Sequence, residues 1–425
     1  MVAKIVTFGR KTLSSLTRRN FRLYFIGQGI SQTGGWMQAV AQSWLVLHLT
    51  GSATALGIAT ALQFAPALFL GPYAGVLADR FPKRRLLYIT QSAAALLALV
   101  LGATVATGVV QHWMVFGMAG CLGIVNAIDY PTRQSFLYEL AGPNELVSAV
   151  GLTGTAVNLA RVAGPAIAGV LIASVGLAAC FFLNALSFVA VLVCLALMRP
   201  TEFHGTALSG REAEKGLAQG FAYASKTPVV RESLVMMAIV GVFTYEFSVT
   251  LPVFVKFTLG GSALGLAYLM AAMGVGAAVG GLVTAGRRGD GLGRLSAASL
   301  CFGVSTALVG LAPNLVTATV LMFVVGVFAA RFTGLSNGIL QLRTAPAMRN
   351  RVMALWSTAF LGSTFLGGPT LGWLAQAAGP RWALGVGAIG GLAAAGIGWL
   401  EVRRSRPVAE PSVLILPERT ARSAA

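Results

Sequence analysis

Charge is scarce in this sequence. Of 425 residues only 10% are Asp, Glu, Lys or Arg, and the acidic ones number 13 against 31 basic. A soluble chain carries about 25% charge, so this one has too little polar surface to cover a core in water. Histidine is nearly absent: His48, His112 and His204 fall at the ends of apolar blocks or between them, which argues against a buried catalytic imidazole. No HExxH or Walker A pattern occurs. That speaks against a membrane hydrolase and against ATP-driven pumping by this chain alone. The four cysteines, Cys121, Cys180, Cys194 and Cys301, sit inside apolar blocks at no metal-ligand spacing and read as small packing residues. No cofactor and no metal is implied.

What the chain has is apolar length. Hydrophobic residues make up 56% and glycine 52 positions. Stretches such as Leu86 to Ala106 and Leu183 to Leu197 contain no charge at all. Blocks of about 20 apolar residues cross a bilayer as helices, and membrane helices use glycine for close packing. Twelve spans are predicted, near 21–48, 53–78, 86–106, 112–136, 147–174 and 177–198, then 232–256, 263–286, 294–312, 315–342, 351–377 and 381–401. The fold class is therefore an all-α membrane protein of twelve transmembrane helices in two six-helix pseudo-repeats. A basic segment 1–20 precedes the bundle 21–198; a polar linker 199–231, the bundle 232–402 and a tail 403–425 follow. The stretch after the basic N-terminus is too long for a signal peptide and reads as an uncleaved first span.

A net charge of +18 first suggests nucleic acid, but the basic residues lie in the gaps between apolar blocks rather than in a folded domain. Alternate gaps hold nearly all of them: Arg18, Arg19 and Arg22; Arg80, Lys83, Arg84 and Arg85; Arg211, Lys215 and Lys226; Arg287, Arg288 and Arg294; Arg343, Arg349 and Arg351; Arg403 and Arg404. The other gaps hold only Lys256 and Arg381. Both termini and the linker are expected to face the cytoplasm, against anionic lipid headgroups. The halves also repeat: Gly123, Pro143, Gly164-Pro165 and Gly176 return as Gly326, Pro346, Gly368-Pro369 and Gly379. Copies with an even number of spans are parallel repeats, and their interface is the default substrate site.

The clearest local motif joins the second and third spans: Gly75-Val-Leu-Ala-Asp79-Arg80-Phe-Pro82-Lys83-Arg84-Arg85. An acid at a helix end beside a basic turn can dock on helix termini and carboxylates of neighbours, holding two bundles together and releasing them in turn. A plain basic anchor is the alternative, although it would not need Gly75 and Asp79. This loop resembles the signature of the major facilitator superfamily, G-x-L-A-D-R-x-G-R-[RK], matched at Gly75, Leu77, Ala78, Asp79, Arg80 and Arg84, with Lys83 a conservative change and Pro82 in place of glycine. The resemblance covers 21–402. Asn126 to Gln134 followed by Asn158 to Pro165 is similar to the enterobactin-exporter-like branch. Gly151, Gly164, Pro165 and Gly169 partly match the fifth-helix motif of drug–proton antiporters, whereas the fourth-helix arginine motif is missing from Val115 to Val125. The resemblance implies a secondary transporter that exports small molecules by alternating access, with protons as the coupling ion, working as a monomer in the bacterial inner membrane. An importer of the same fold, or a membrane receptor or scaffold, stays open as an alternative.

Ionisable residues deep in a span cost about 2.5–3.5 kcal/mol each, so they face protein or water and mark function. Five qualify: Asp129, Arg133, Arg161, Glu246 and Arg331. Asp129 and Arg133 are four apart and can pair on one helix face, with a gate role beside Arg80 and Arg84 weighed against proton carriage. Arg161 and Arg331 can hold an anionic substrate or neutralise a carboxylate. Glu246 is the deep carboxyl group of the second half, a proton carrier or the fixed partner of an arginine. On the first span Gln28, Ser31, Gln32, Gln38 and Gln42 fall within an arc of roughly 120°, and either line the pathway or bond neighbouring helices. Asn158 is placed on the same pathway.

Overall fold

The computed structural model describes residues 14–204, 213–285 and 291–404. The basic stretch 1–13, residues 205–212 of the linker with Arg211, the loop arginines Arg287 and Arg288, and the tail 405–425 lie outside the described residues. Thirteen long or amphipathic helices follow in order: α1 (Arg19–Thr50), α2 (Ala53–Arg80), α3 (Lys83–Ala106), α4 (His112–Gly142), α5 (Ser148–Ser174), α6 (Leu177–Leu197), α7 (Ala213–Lys226), α8 (Pro228–Thr258), α9 (Ala263–Ala285), α10 (Leu292–Gly310), α11 (Leu315–Arg343), α12 (Arg349–Ala377) and α13 (Pro380–Arg404). All but α7 answer to the twelve expected spans. Ten of them are long and apolar enough to cross a membrane on composition alone. The other two, α1 and α12, are 32 and 29 residues long, and α1 is diluted by its glutamines.

Local chemistry sets the boundaries. Ser52 caps α2 by accepting from the Ala55 amide, and Asn314 caps α11 by accepting from Thr317. Gly51 ends α1 with φ 61°, its amide returning to the Leu47 carbonyl. The fourth span runs to Gly142, further than the expected 136, with Glu139 in its last turn. Gly142 then breaks the run into α5 at φ 68°, a conformation costly for any residue with a Cβ. Space demands glycine there too: a Cβ would lie 2.8 Å from the His204 ring. The linker contains a helix that the polar composition hid; α7 packs against α12, where Gly220 meets Arg351 and the Tyr223 hydroxyl accepts from the Ala345 amide at 3.1 Å.

Helices α1–α6 pack with one another, as do α8–α13. Glycine lets α9 and α11 touch backbone to backbone: a Cβ on Gly326 would stand 2.8 Å from the Met273 carbonyl carbon, and one on Gly276 2.9 Å from that of Phe323. The two bundles meet where α2 lies along α12 and α5 along α9. The tightest meetings lie at the end away from the basic loops. There Gly57 abuts Gly368 and Pro369, Gly372 abuts Ala53, and Gly169 abuts Ala267. Two side-chain hydrogen bonds between the bundles lie at this end. Lys256 Nζ donates to the Leu47 carbonyl at 2.6 Å, and Gln376 Oε1 accepts from the Ala53 amide at 2.8 Å.

Candidate functional site

The loop between α2 and α3 turns through Pro82, whose carbonyl accepts from Arg85 and Leu86. Its basic residues act inside the first bundle. Lys83 is buried, with Nζ 3.5 Å from Glu139 Oε1 on α4. Arg84 donates through Nε and Nη2 to the Leu195 carbonyl at 3.1 and 2.7 Å, closing the open C-terminus of α6, and lies over the Tyr88 ring. Arg80 is exposed. Gly75 and Asp79 lie in the last turns of α2; the Asp79 side chain is outside the described part of the structure. The carboxylate that this turn meets is thus Glu139, through Lys83. Glu139 was missed because nothing in a sequence pairs residues so far apart.

Asp129 is at the centre of a buried network. Its Oδ1 accepts from Thr90 Oγ1 at 2.7 Å and Gln91 Nε2 at 2.8 Å, and Oδ2 is 2.6 Å from Arg133 Nε. Arg133 Nη1 in turn donates to Gln28 Oε1 on α1 at 3.0 Å. Two hydrogen bonds and an ion pair thus converge on one carboxylate. The cluster joins α1, α3 and α4 above an apolar floor of Phe21, Leu87, Phe136 and Leu195. Among the described residues its contacts are to α1, α3 and α4 side chains, while Arg84 bonds α6.

The remaining deep charges have no ionic partner among the described residues. Arg161, at the midpoint of α5, lays its guanidinium over the Trp36 ring of α1 at 5.1 Å, and its Nε is buried without a hydrogen bond. Arg331, just past the midpoint of α11, lies 5.9 Å from the Phe328 ring. Glu246 is 2% exposed and sits where α8 breaks. A π turn over Val240–Thr244 ends with the Tyr245 amide on the Val240 carbonyl, and a new helix starts at Phe247. Around its carboxylate stand the Ser248 hydroxyl at 3.4 Å, Thr364 and the bare backbone of Gly367. The alternative of a fixed arginine partner for Glu246 finds no such arginine here. Beside it Tyr245 meets Phe360, which stacks on Trp356 at 5.5 Å.

The glutamines of α1 divide. Gln28 holds Arg133, and Gln42 donates to Gln63 on α2 at 3.4 Å. Gln38 is buried against α6, accepting from Asn184 at 2.7 Å, which is a bond between helices and not a wall of a pathway. Gln32 is half-buried and Asn158 exposed.

Twelve long helices in two packed bundles, glycine seams between them and unpaired charges at mid-depth describe a transporter. Residues 10–412 match the transmembrane secretion effector model of the major facilitator superfamily. The chain belongs to this family. It is a multi-pass membrane transporter, not an enzyme. It is 26% identical over 361 residues to the multidrug efflux pump Tap of Mycobacterium tuberculosis (strain ATCC 25618 / H37Rv), covering 82% of this chain and 85% of that one. It is 32% identical over 178 residues to the staphyloferrin A transporter of Staphylococcus aureus (strain NCTC 8325 / PS 47), where the match spans 41% of this chain and 45% of the relative. Among solved structures, a bacterial homolog of the human lysosomal transporter Spinster, inward-facing and unoccupied, superposes with a TM-score of 0.73 at 14% identity, over 90% of this chain and 97% of that one. At that identity the likeness is one of fold.

Proposed function

We propose that this transporter exports small molecules from the cytoplasm across a bacterial plasma membrane, by alternating access coupled to proton antiport. The bundles 21–198 and 232–402 are the moving bodies and 199–231 the tether, with the chain acting as a monomer. The basic end faces the cytoplasm, as the arginine asymmetry favours. The seam of Gly57, Gly169, Gly368 and Gly372 then closes the outer side. Efflux pumps among the relatives favour export, and the enterobactin-exporter-like segments Asn126 to Gln134 and Asn158 to Pro165 favour a metabolite as cargo. In this reading Gly75, Asp79 and Arg80 dock the bundles on the inner side while Lys83 and Arg84 brace the loop. The Asp129–Arg133 pair is a strut that keeps the first bundle rigid. Gln32, Asn158, Arg161 and Arg331 border the substrate path.

The observation that carries the coupling is Glu246, a buried carboxyl group at a helix break with no cation beside it among the described residues. Such a group can be neutral or charged as access alternates, which arginine cannot. A proton moving down 100 mV releases about 2.3 kcal/mol, enough to concentrate a neutral substrate tens-fold. Glu246→Gln fixes the protonated shape. In inverted vesicles it is expected to abolish export driven by a pH gradient while substrate exchange continues. Full proton-driven export by that variant would remove Glu246 from the mechanism.

A further inference from the structure

The charges at mid-depth do not balance. Asp129 and Arg133 neutralise each other inside the first bundle. Glu246 is sealed against Ser248, Thr364 and Gly367 of the second. That leaves Arg161 in one bundle and Arg331 in the other, each with an aromatic ring as its nearest described interaction and neither with a carboxylate. Arginine presents donors only and no acceptor. A guanidinium at the centre of an apolar helix needs a counter-charge or water, and the buried, unbonded Nε of Arg161 is a donor that this protein leaves open.

The two arginines lie at comparable depth in opposite bundles, at the middle of α5 and just past the middle of α11. The Arg161 carbonyl lies 3.3 Å from where a Cβ on Gly274 would stand, so this part of α5 is at the boundary with the second bundle. One turn of α9 that includes Gly274 also touches Gly326 of α11, through Met273 and Ala277. Arg331 is five residues beyond Gly326, an axial offset of roughly 7 Å at helical rise. The aromatic rings offer flat apolar contact beside the charge: Trp36 under Arg161 and Phe328 under Arg331, with the Trp356–Phe360 stack in the second bundle.

We infer that the transported substrate is an organic anion bearing a flat or apolar body, its acidic group held by Arg161 against Trp36 while Arg331 supplies the second positive charge from the opposite bundle. This rests on the export reading and narrows its cargo. An anion leaving in exchange for an entering proton also keeps the two arginines and Glu246 in separate tasks: the arginines read the cargo and the carboxyl group carries the proton.

Two dyes built on one xanthene scaffold test it in energised inverted vesicles: carboxyfluorescein, which is anionic, and a rhodamine ester, which is cationic. Wild-type protein is expected to accumulate carboxyfluorescein and not the rhodamine ester. Arg161→Gln should cut that uptake about tenfold or more, the effect of removing a charge-assisted contact. Arg161→Lys should retain part of it, and Arg331→Gln should lower it too, at equal membrane abundance. Accumulation of the rhodamine ester alone would overturn the anion assignment and leave export standing. Undiminished carboxyfluorescein uptake by Arg161→Gln would overturn the role of Arg161. Proton-dependent movement of neither dye would count against the export reading itself.

Discussion

The seam proposed to close the outer side makes a quantitative prediction at Gly57. A Cβ built there would stand 2.9 Å from the Gly368 carbonyl carbon and 3.0 Å from Pro369 Cα, and closer still to the Gly368 oxygen. Carbon atoms settle at about 3.5–4.0 Å, and the obstacle is backbone, which cannot rotate aside. Gly57→Val therefore requires α2 and α12 to part by roughly 1 Å wherever they close. The change is mild within α2 itself, since valine is accepted in a helix at less than the cost of glycine. Its penalty falls on the closed arrangement alone. Overpacking costs about 1–3 kcal/mol, which shifts the population of outer-closed protein by roughly five- to a hundredfold. Thr60 reports the shift: it is 7% exposed, and its Cβ lies 3.5 Å from the Cβ position of Gly368. In a background without the four natural cysteines, Thr60→Cys should resist a membrane-impermeant maleimide added outside. Adding Gly57→Val should make it react, and transport should fall. Unaltered protection with normal transport would refute the seam as the closing surface.

Three more tests bear on other parts of the chain. Reporter fusions at Arg211 and at Gly108 are expected on opposite sides of the membrane, and finding both on one side would overturn the twelve-span orientation. Asp79→Ala is expected to impair transport with membrane insertion largely intact; unchanged transport would reduce the loop to a basic anchor. Asp129→Asn should destabilise the protein by roughly 3–4 kcal/mol, the lower part of what breaking a buried pair costs, because the Arg133 side chain keeps partial exposure (19%). Thermal unfolding in detergent measures it, and the double variant with Arg133→Gln should lose less than the sum of the two.

The spans were legible because a bilayer imposes one rule on every segment that crosses it: satisfy the backbone internally and stay apolar for about 20 residues. That rule reads α3, α6 and α9 directly. It still reaches α1, where glutamines lower the hydropathy without adding charge, because length and spacing survive the dilution. It fails where packing and not lipid decides. Helix α7 was hidden in a polar linker, since its stability comes from the face it lays on α12 and from Tyr223 on the Ala345 amide. The break in α8 was hidden too: Val240 to Thr244 has no proline or glycine pair to announce a π turn, and Pro252 lies two turns later.

The candidate site divides along the same line. Depth is a property of one helix, so Asp129, Arg133, Arg161, Glu246 and Arg331 stood out unaided. Partnership is a property of two helices, so Thr90, Gln91, Glu139 and the Lys256 contact with the Leu47 carbonyl did not. The stripe on α1 shows why the distinction matters. Four of its glutamines share one side of a helix, yet Gln28 reaches α4, Gln38 reaches α6 and Gln42 reaches α2. An arc of roughly 120° is wide enough to face three neighbours at once. A polar face therefore identifies a helix buried among other helices before it identifies a path for substrate. The deep charges left without an ionic partner among the described residues, Arg161, Arg331 and Glu246, are the sharper guide to where a ligand or a proton would be met.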